Sequence, residues 1–99
     1  MVSDKMELMM LLENQVILVT GAAQGIGQRI AYCAAQEGAR ICITDVSRNR
    51  LQQTAGLLGD LGADCLSLEM DVTQVDQIAR AMQETVSHFG VLDGLVNNA

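Results

Sequence analysis

Short apolar runs alternate along this chain with longer stretches in which apolar residues return every three or four positions. Val16-Ile17-Leu18-Val19 is four apolar residues in a row, three of them β-branched, and predicts a strand buried on both faces. The glycine-rich segment Thr20-Gly21-Ala22-Ala23-Gln24-Gly25-Ile26-Gly27 follows it and leads into a helix. Ile26, Ile30, Cys33 and Ala34 are expected to form the buried face of that helix, opposite Gln28, Arg29, Gln36 and Glu37, with Gly38 as a left-handed stop. Arg40 to Thr44 reads as a second strand that halts at Asp45. Ser47 is placed to cap a second helix with Leu51, Ala55, Leu58 and Leu61 inward and Gly62 at its end. Gly56 and Gly59 each cost that helix about 1 kcal/mol relative to alanine, so packing has to carry it. Cys65 to Met70 predicts a third strand with Leu66, Leu68 and Met70 on one face, ending at Asp71-Val72. Thr73 and Asp76 are expected to cap a third helix whose stripe, Val75, Ile78, Ala79, Met82, Val86 and Phe89, reads as core. Gly90 ends it, and Gly94-Leu95-Val96-Asn97-Asn98-Ala99 begins a fourth strand.

Strands and helices thus alternate with short links and no proline. That order predicts an α/β fold: a Rossmann-type parallel sheet in the order 3-2-1-4 with helices on both faces, the first two on one side and the third on the other. Residues 1–12 are expected to be an N-terminal extension. Residues 13–99 are expected to be a nucleotide-binding half-domain cut off at its fourth strand.

The composition, 49% hydrophobic and 18% charged, is globular, and the net charge of -6 argues against a nucleic-acid partner. With only six basic residues, phosphate recognition has to rest on backbone N–H groups. Cys33, Cys42 and Cys65 lack metal-site or redox spacing, a single histidine (His88) accompanies them, and they are expected to be reduced core residues with no metal bound. Acidic Asp4 and Glu7 precede the run Leu8 to Leu12 and no small-residue cleavage site follows, so a secretory signal is not expected; neither is a membrane partner, and a cytoplasmic location is.

The glycines point to a ligand. Gly21 can adopt backbone angles closed to other residues, Gly25 lets main chain approach a ligand, and Gly27 lets the helix lie close to the strand. A helix N-terminus in that position suits a pyrophosphate. Asp45, 18 residues past Gly27, stands where a dinucleotide fold sets a carboxylate against the adenosine ribose.

Thr20-Gly21-x-x-x-Gly25-x-Gly27, Asp45, Asp71-Val72 and Asn97-Asn98-Ala99, in that order, resemble the short-chain dehydrogenase/reductase family over residues 13–99. The resemblance implies that Gly21, Gln24, Gly25, Ile26 and Gly27 line the cofactor phosphates and riboses, and that Asp45 holds the adenosine ribose. It further implies that Asp71 meets the adenine amino group, Val72 the ring through its backbone, and Asn98 main chain the ribose, while Asn97 braces the sheet. Asp45, followed by Val46, favours NAD over NADP, with Arg48 and Arg50 near enough in sequence to soften the repulsion of a 2′-phosphate. The full-length parent would move a hydride between nicotinamide and an alcohol or carbonyl substrate, and would assemble as a homo-oligomer. The family's catalytic tyrosine and lysine have no match here. The single tyrosine, Tyr32, expected at a surface or interface, has Gln36 four residues on, and the single lysine is Lys5. No catalytic residue is therefore assigned. The 99 residues alone are expected to be inactive and to fold poorly. The alternatives are a non-catalytic dinucleotide-binding sensor and a methyltransferase, whose glycine spacing fits less well; a P-loop is excluded because no lysine follows Gly27.

Overall fold

The structure, a computed structural model, describes residues 11–71 and 73–98. Seven elements follow one another: β1 (Val16–Thr20), α1 (Gly25–Gln36), β2 (Arg40–Asp45), α2 (Arg48–Asp60), β3 (Cys65–Glu69), α3 (Val75–Phe89) and β4 (Gly94–Asn97). The strands form one parallel sheet in the order β3-β2-β1-β4, with Leu18 level with Cys42 on one side and Leu95 on the other. The anticipated topology is the observed one. Most of the N-terminal extension, like Val72 and Ala99, lies outside the described residues; Leu12 packs on the core.

Alternation along the strands divides the interior in two. Val19, Ile41 and Ile43 point to α1 and α2, where they meet Ala31, Ala34, Ala35, Leu51 and Leu58. Leu18 and Cys42 point to α3, where they meet Ala81 and Met70, with Leu66, Leu68, Ile78 and Phe89 around them. Each fully buried Leu or Ile here contributes roughly 1.5–3 kcal/mol.

All three helix faces differ in part from the sequence pattern. In α1 the buried residues are Gly27, Ala31, Ala34 and Ala35, whereas Ile26 is 72% exposed and Cys33 is exposed. Small side chains bring the helix close to the sheet, and the larger ones are turned to its flanks. In α3 the sheet-facing residues are Ile78, Ala81, Thr85 and Phe89, while Val75, Met82 and Val86 are exposed. Thr85 can be buried because its hydroxyl donates to the Ala81 carbonyl at 2.7 Å. In α2, likewise, Thr54 is buried and Leu61 exposed.

Helix ends follow their chemistry more closely. Ser47 Oγ accepts from Arg50 N–H as the α2 cap, and Gly38, Gly62 and Gly90 adopt positive φ at or just beyond the helix ends. The expected Thr73–Asp76 cap does not form. Gln74 is the α3 N-cap with no side-chain bond, because Thr73 turns back to Asp71.

Cys42 is buried, Cys65 half-buried and Cys33 exposed, so only part of the expected core assignment holds. Burial pushes both the Cys42 and Cys65 thiols up from 9.0 to about 11. A raised thiol favours folding below its unfolded value and loses that contribution as the pH climbs, so stability should decline between about pH 9 and pH 11. At pH 7.5, a disulfide reagent should titrate Cys33 quickly in the native chain and the other two thiols only on unfolding. Rapid reaction of all the thiols before unfolding would contradict this packing.

Candidate nucleotide site

All the strands being parallel, their carboxyl ends share one edge of the sheet. There a cleft of about 450 Å³ opens, lined by Gly21, Gln24, Gly25, Ile26, Asp45, Val46, Met70, Asp71, Thr73 and Asn98. Residues separated by up to 77 positions in sequence meet in it because each follows the end of a strand.

The turn after β1 is strapped on every side. Ala22 N–H donates to the Thr44 carbonyl at 3.1 Å, and the Ala22 carbonyl accepts from buried Thr54 Oγ1 at 3.0 Å. Gln28 Nε2 donates to that same hydroxyl at 2.9 Å, completing its bonding. Ala23 N–H donates to Asp45 Oδ2 at 3.0 Å, and Asn98 Nδ2 donates to the Gly21 carbonyl at 3.3 Å. Asn98 is itself set by its N–H on Thr20 Oγ1 at 3.0 Å, and that hydroxyl donates to Asn97 Oδ1 at 2.9 Å. Asn97 thus links β4 to β1.

Gly21 and Gly25 hold φ of 63° and 61°, the left-handed region that costs other residues energy. Gly27 does something different. A Cβ there would overlap the Gly21 carbonyl oxygen and stand 2.7 Å from Asn98 Nδ2, so only glycine allows α1 to sit this close to the turn. The first turn of α1 has no side-chain cap and no acidic residue, and it begins at the cleft with exposed Gly25 and Ile26. By contrast, α2 is closed by Ser47. An uncapped, partly positive helix end whose N–H groups lack intrahelical partners suits an anionic group such as a pyrophosphate.

Asp45 lines the cleft too. Its Oδ1 accepts from Val46 N–H at 2.7 Å and Ser47 N–H at 3.3 Å, in addition to the Ala23 bond on Oδ2, which leaves one lone pair, on Oδ2, for a hydroxyl ligand. Asp71 accepts from the Thr73 hydroxyl at 2.6 Å and its N–H at 3.1 Å, and the Thr73 hydroxyl and N–H hold the Asp71 carboxyl below its ordinary range. It therefore stays ionised in the neutral range.

Of the residues singled out from sequence, Gly21, Gln24, Gly25, Ile26, Asp45, Asp71 and Asn98 line the cleft. Gly27 lies behind it as a packing contact, and Val72 falls outside the described residues. Val46, Met70 and Thr73 also line it and had not been singled out. Their neighbours Asp45 and Asp71 were the signal that could have brought them in. Tyr32 is half-buried against the core, and His88 is exposed in the last turn of α3, edge-on to Phe89. Among the described residues no group of His, Cys, Asp or Glu converges as a metal would require, and no helix is long and apolar enough to cross a membrane.

A parallel sheet of this order with a glycine turn at its switch point defines a Rossmann-type α/β fold. The family model described as short chain dehydrogenase matches residues 15–99, and the chain belongs to that family. It is 40% identical over 89 residues to 11-beta-hydroxysteroid dehydrogenase 1A of Arabidopsis thaliana, covering 89% of this chain and 26% of that protein. A short chain dehydrogenase from Mycobacterium smegmatis superposes with a TM-score of 0.86 at 41% identity, over 91% of this chain and 38% of that one. Carveol dehydrogenase from Mycobacterium avium, solved in complex with NAD, superposes with a TM-score of 0.84 at 30% identity, over 89% and 36% of the two chains. This chain therefore spans about a quarter to two-fifths of the length of these proteins.

Proposed function

We propose that the cleft binds the adenosine and pyrophosphate of NAD, and that the chain serves as the N-terminal, cofactor-holding part of an oxidoreductase acting on an alcohol or carbonyl. The observation that carries this reading is that the uncapped N-terminus of α1 and the carboxylate of Asp45 line one cleft. When bound, the nicotinamide is the hydride donor or acceptor. This chain's residues do the holding. First-turn N–H groups of α1 take the phosphates, Asp45 Oδ2 takes a ribose hydroxyl, and Asp71, oriented by its bonds from Thr73, accepts from the adenine amino group. Met70, 5% exposed, lines the cleft and gives the base an apolar surface.

Asp45 favours a 2′-hydroxyl over a 2′-phosphate. Two like charges a few ångströms apart in a half-desolvated groove oppose binding by roughly 1–4 kcal/mol. Titrating the chain with NAD and NADP at one ionic strength should show tighter binding of NAD, and a tenfold preference for NADP would overturn the assignment. No NAD-linked turnover is expected across a panel of alcohols, since no tyrosine and lysine stand four residues apart to pass a proton to or from the substrate oxygen. Turnover that Gly25→Val abolishes would refute that expectation.

A further inference from the structure

We propose that Gln77 is a positioning residue for Asp71, and that through it this cleft prefers a purine with a 6-amino group over one with a 6-oxo group. The inference rests on the nucleotide reading above, in which Asp71 accepts from the adenine amino group, and it names the part that holds Asp71 ready to do so.

The chain is fixed to the sheet as far as Met70, whose N–H donates to the Asp45 carbonyl at 2.9 Å. Asp71, the next residue, lines the cleft and is exposed. A free carboxylate in that setting would sample several rotamers, and binding a base would have to halt them. Here the residue is held at three points. Its N–H donates to Gln77 Oε1 at 2.7 Å, its carbonyl accepts from Gln74 N–H at 3.2 Å, and its Oδ1 accepts both bonds from Thr73. Among the described residues nothing donates to Oδ2, so that oxygen keeps its lone pairs for a ligand.

Gln77 does not act as an ordinary cap. It is the third residue of α3, the position from which a glutamine side chain usually turns back to the N–H of the N-cap residue. The N-cap is Gln74, whose side chain makes no capping bond and whose N–H is already spent on the Asp71 carbonyl. Gln77 instead reaches three residues further back, to Asp71 itself. It is not among the residues that line the cleft, so it acts on the base only through Asp71. With the main chain of Asp71 tied to α3 and its Oδ1 tied to Thr73, Oδ2 has a fixed place. A 6-amino group donates to a carboxylate, whereas a 6-oxo group sets a second acceptor against it. A loosened Asp71 could retreat from the oxo group, so both the attraction and the repulsion would fade.

The test is calorimetric titration of the chain with 5′-AMP and with 5′-IMP at fixed salt, for the native sequence, Gln77→Ala and Gln77→Glu. The native chain should bind AMP more tightly by about tenfold, the size of one hydrogen bond to a charged group. Gln77→Ala should cut that preference by about threefold to tenfold, mainly by weakening AMP. Gln77→Glu should keep most of it, because its carboxylate accepts from the same N–H. A loss of helix stability alone would scale both dissociation constants by one unfolded fraction and leave their ratio unmoved. Binding of both nucleotides with a ratio that Gln77→Ala leaves unchanged, or that Gln77→Glu lowers as far as Gln77→Ala does, would overturn the role of Gln77 and leave the nucleotide reading standing. A native chain that binds the two alike would overturn the assignment of Asp71 to the amino group and the inference with it. Failure of the native chain to bind either nucleotide would overturn the inference and the nucleotide reading together.

Discussion

Replacing Gly27 with alanine is expected to abolish nucleotide binding and to destabilise the chain by about 1–3 kcal/mol, the usual range for overpacking. The added carbon would overlap the Gly21 carbonyl oxygen and press on Gly21 C at 2.8 Å and Asn98 Nδ2 at 2.7 Å. Asn98 has a side chain that can swing aside. Gly21 is main chain, held at φ 63° between β1 and the turn, and has no such freedom. Relief requires α1 to move off the sheet, which takes the buried contacts of Ala31, Ala34 and Ala35 with it. For a chain of this size each kcal/mol lowers the melting midpoint by about 4–8 °C. A Gly27→Ala chain with an unshifted midpoint and ordinary AMP affinity would show that the close approach is not needed.

Gly25→Val should separate binding from folding. An added Cβ would have nothing within 4 Å, so no core contact is at stake. The difficulty is conformational. Gly25 holds φ 61°, which costs an L-residue about 1–2 kcal/mol and a β-branched one more. Valine would escape that strain by turning its peptide planes, and with them the N–H groups that face the cleft. Whatever rotation remained, its methyls would stand where main chain has to meet the phosphates. The expected outcome is loss of NAD and AMP binding in a chain that still unfolds cooperatively, its midpoint lowered by roughly 10 °C, the strain of the turn at about 4–8 °C per kcal/mol. Gly25→Ala, lacking the branch, should show a smaller loss. Unchanged affinity in the valine variant would reduce the turn to a structural element.

Contrasting these two glycines shows what the sequence made legible. Gly25 lines the cleft and Gly27 packs α1 against the turn, as their spacing suggested, although the family resemblance had set Gly27 on the phosphates too, and the strand order followed from the alternation of elements. The site was equally readable wherever a residue follows the end of a strand, as Asp45 and Asp71 do. The helix faces were read less well, and for one reason. Periodicity weights large apolar side chains, but α1 needs to lie close to the sheet and so buries Ala31 and Ala35 while Ile26 and Cys33 face outward. Thr54 and Thr85 were passed over as polar, although each is satisfied by a carbonyl, of Ala22 and of Ala81, that only the folded chain supplies. Thr73 was assigned to the wrong partner because two acidic residues, Asp71 and Asp76, lay within reach and sequence does not rank them. The hydrogen bond from Arg50 Nη1 to Gln24 Oε1, 2.6 Å, joins the first turn of α2 to the N-cap of α1 and had no signature along the chain.

The pairing of β1 with β4 has a consequence for how the molecule is made. Asp93 and Val16 exchange hydrogen bonds, Asp93 N–H to the Val16 carbonyl at 2.8 Å and Val16 N–H to Asp93 Oδ2 at 2.7 Å, across 77 residues, and Asn98 reaches Gly21 over the same span. Contacts of such long range are slow to close, because the intervening chain has to be gathered first. Synthesis proceeds from the N-terminus at about 5–20 residues per second, so the 71 positions from Gly27 to Asn98 represent roughly 4–14 s of translation. Through that interval one edge of β1 has no neighbour and can pair with foreign strands. A ribosome that has finished the glycine turn has not yet made the cleft; the turn is fastened seconds later, when Asn98 arrives at the Gly21 carbonyl.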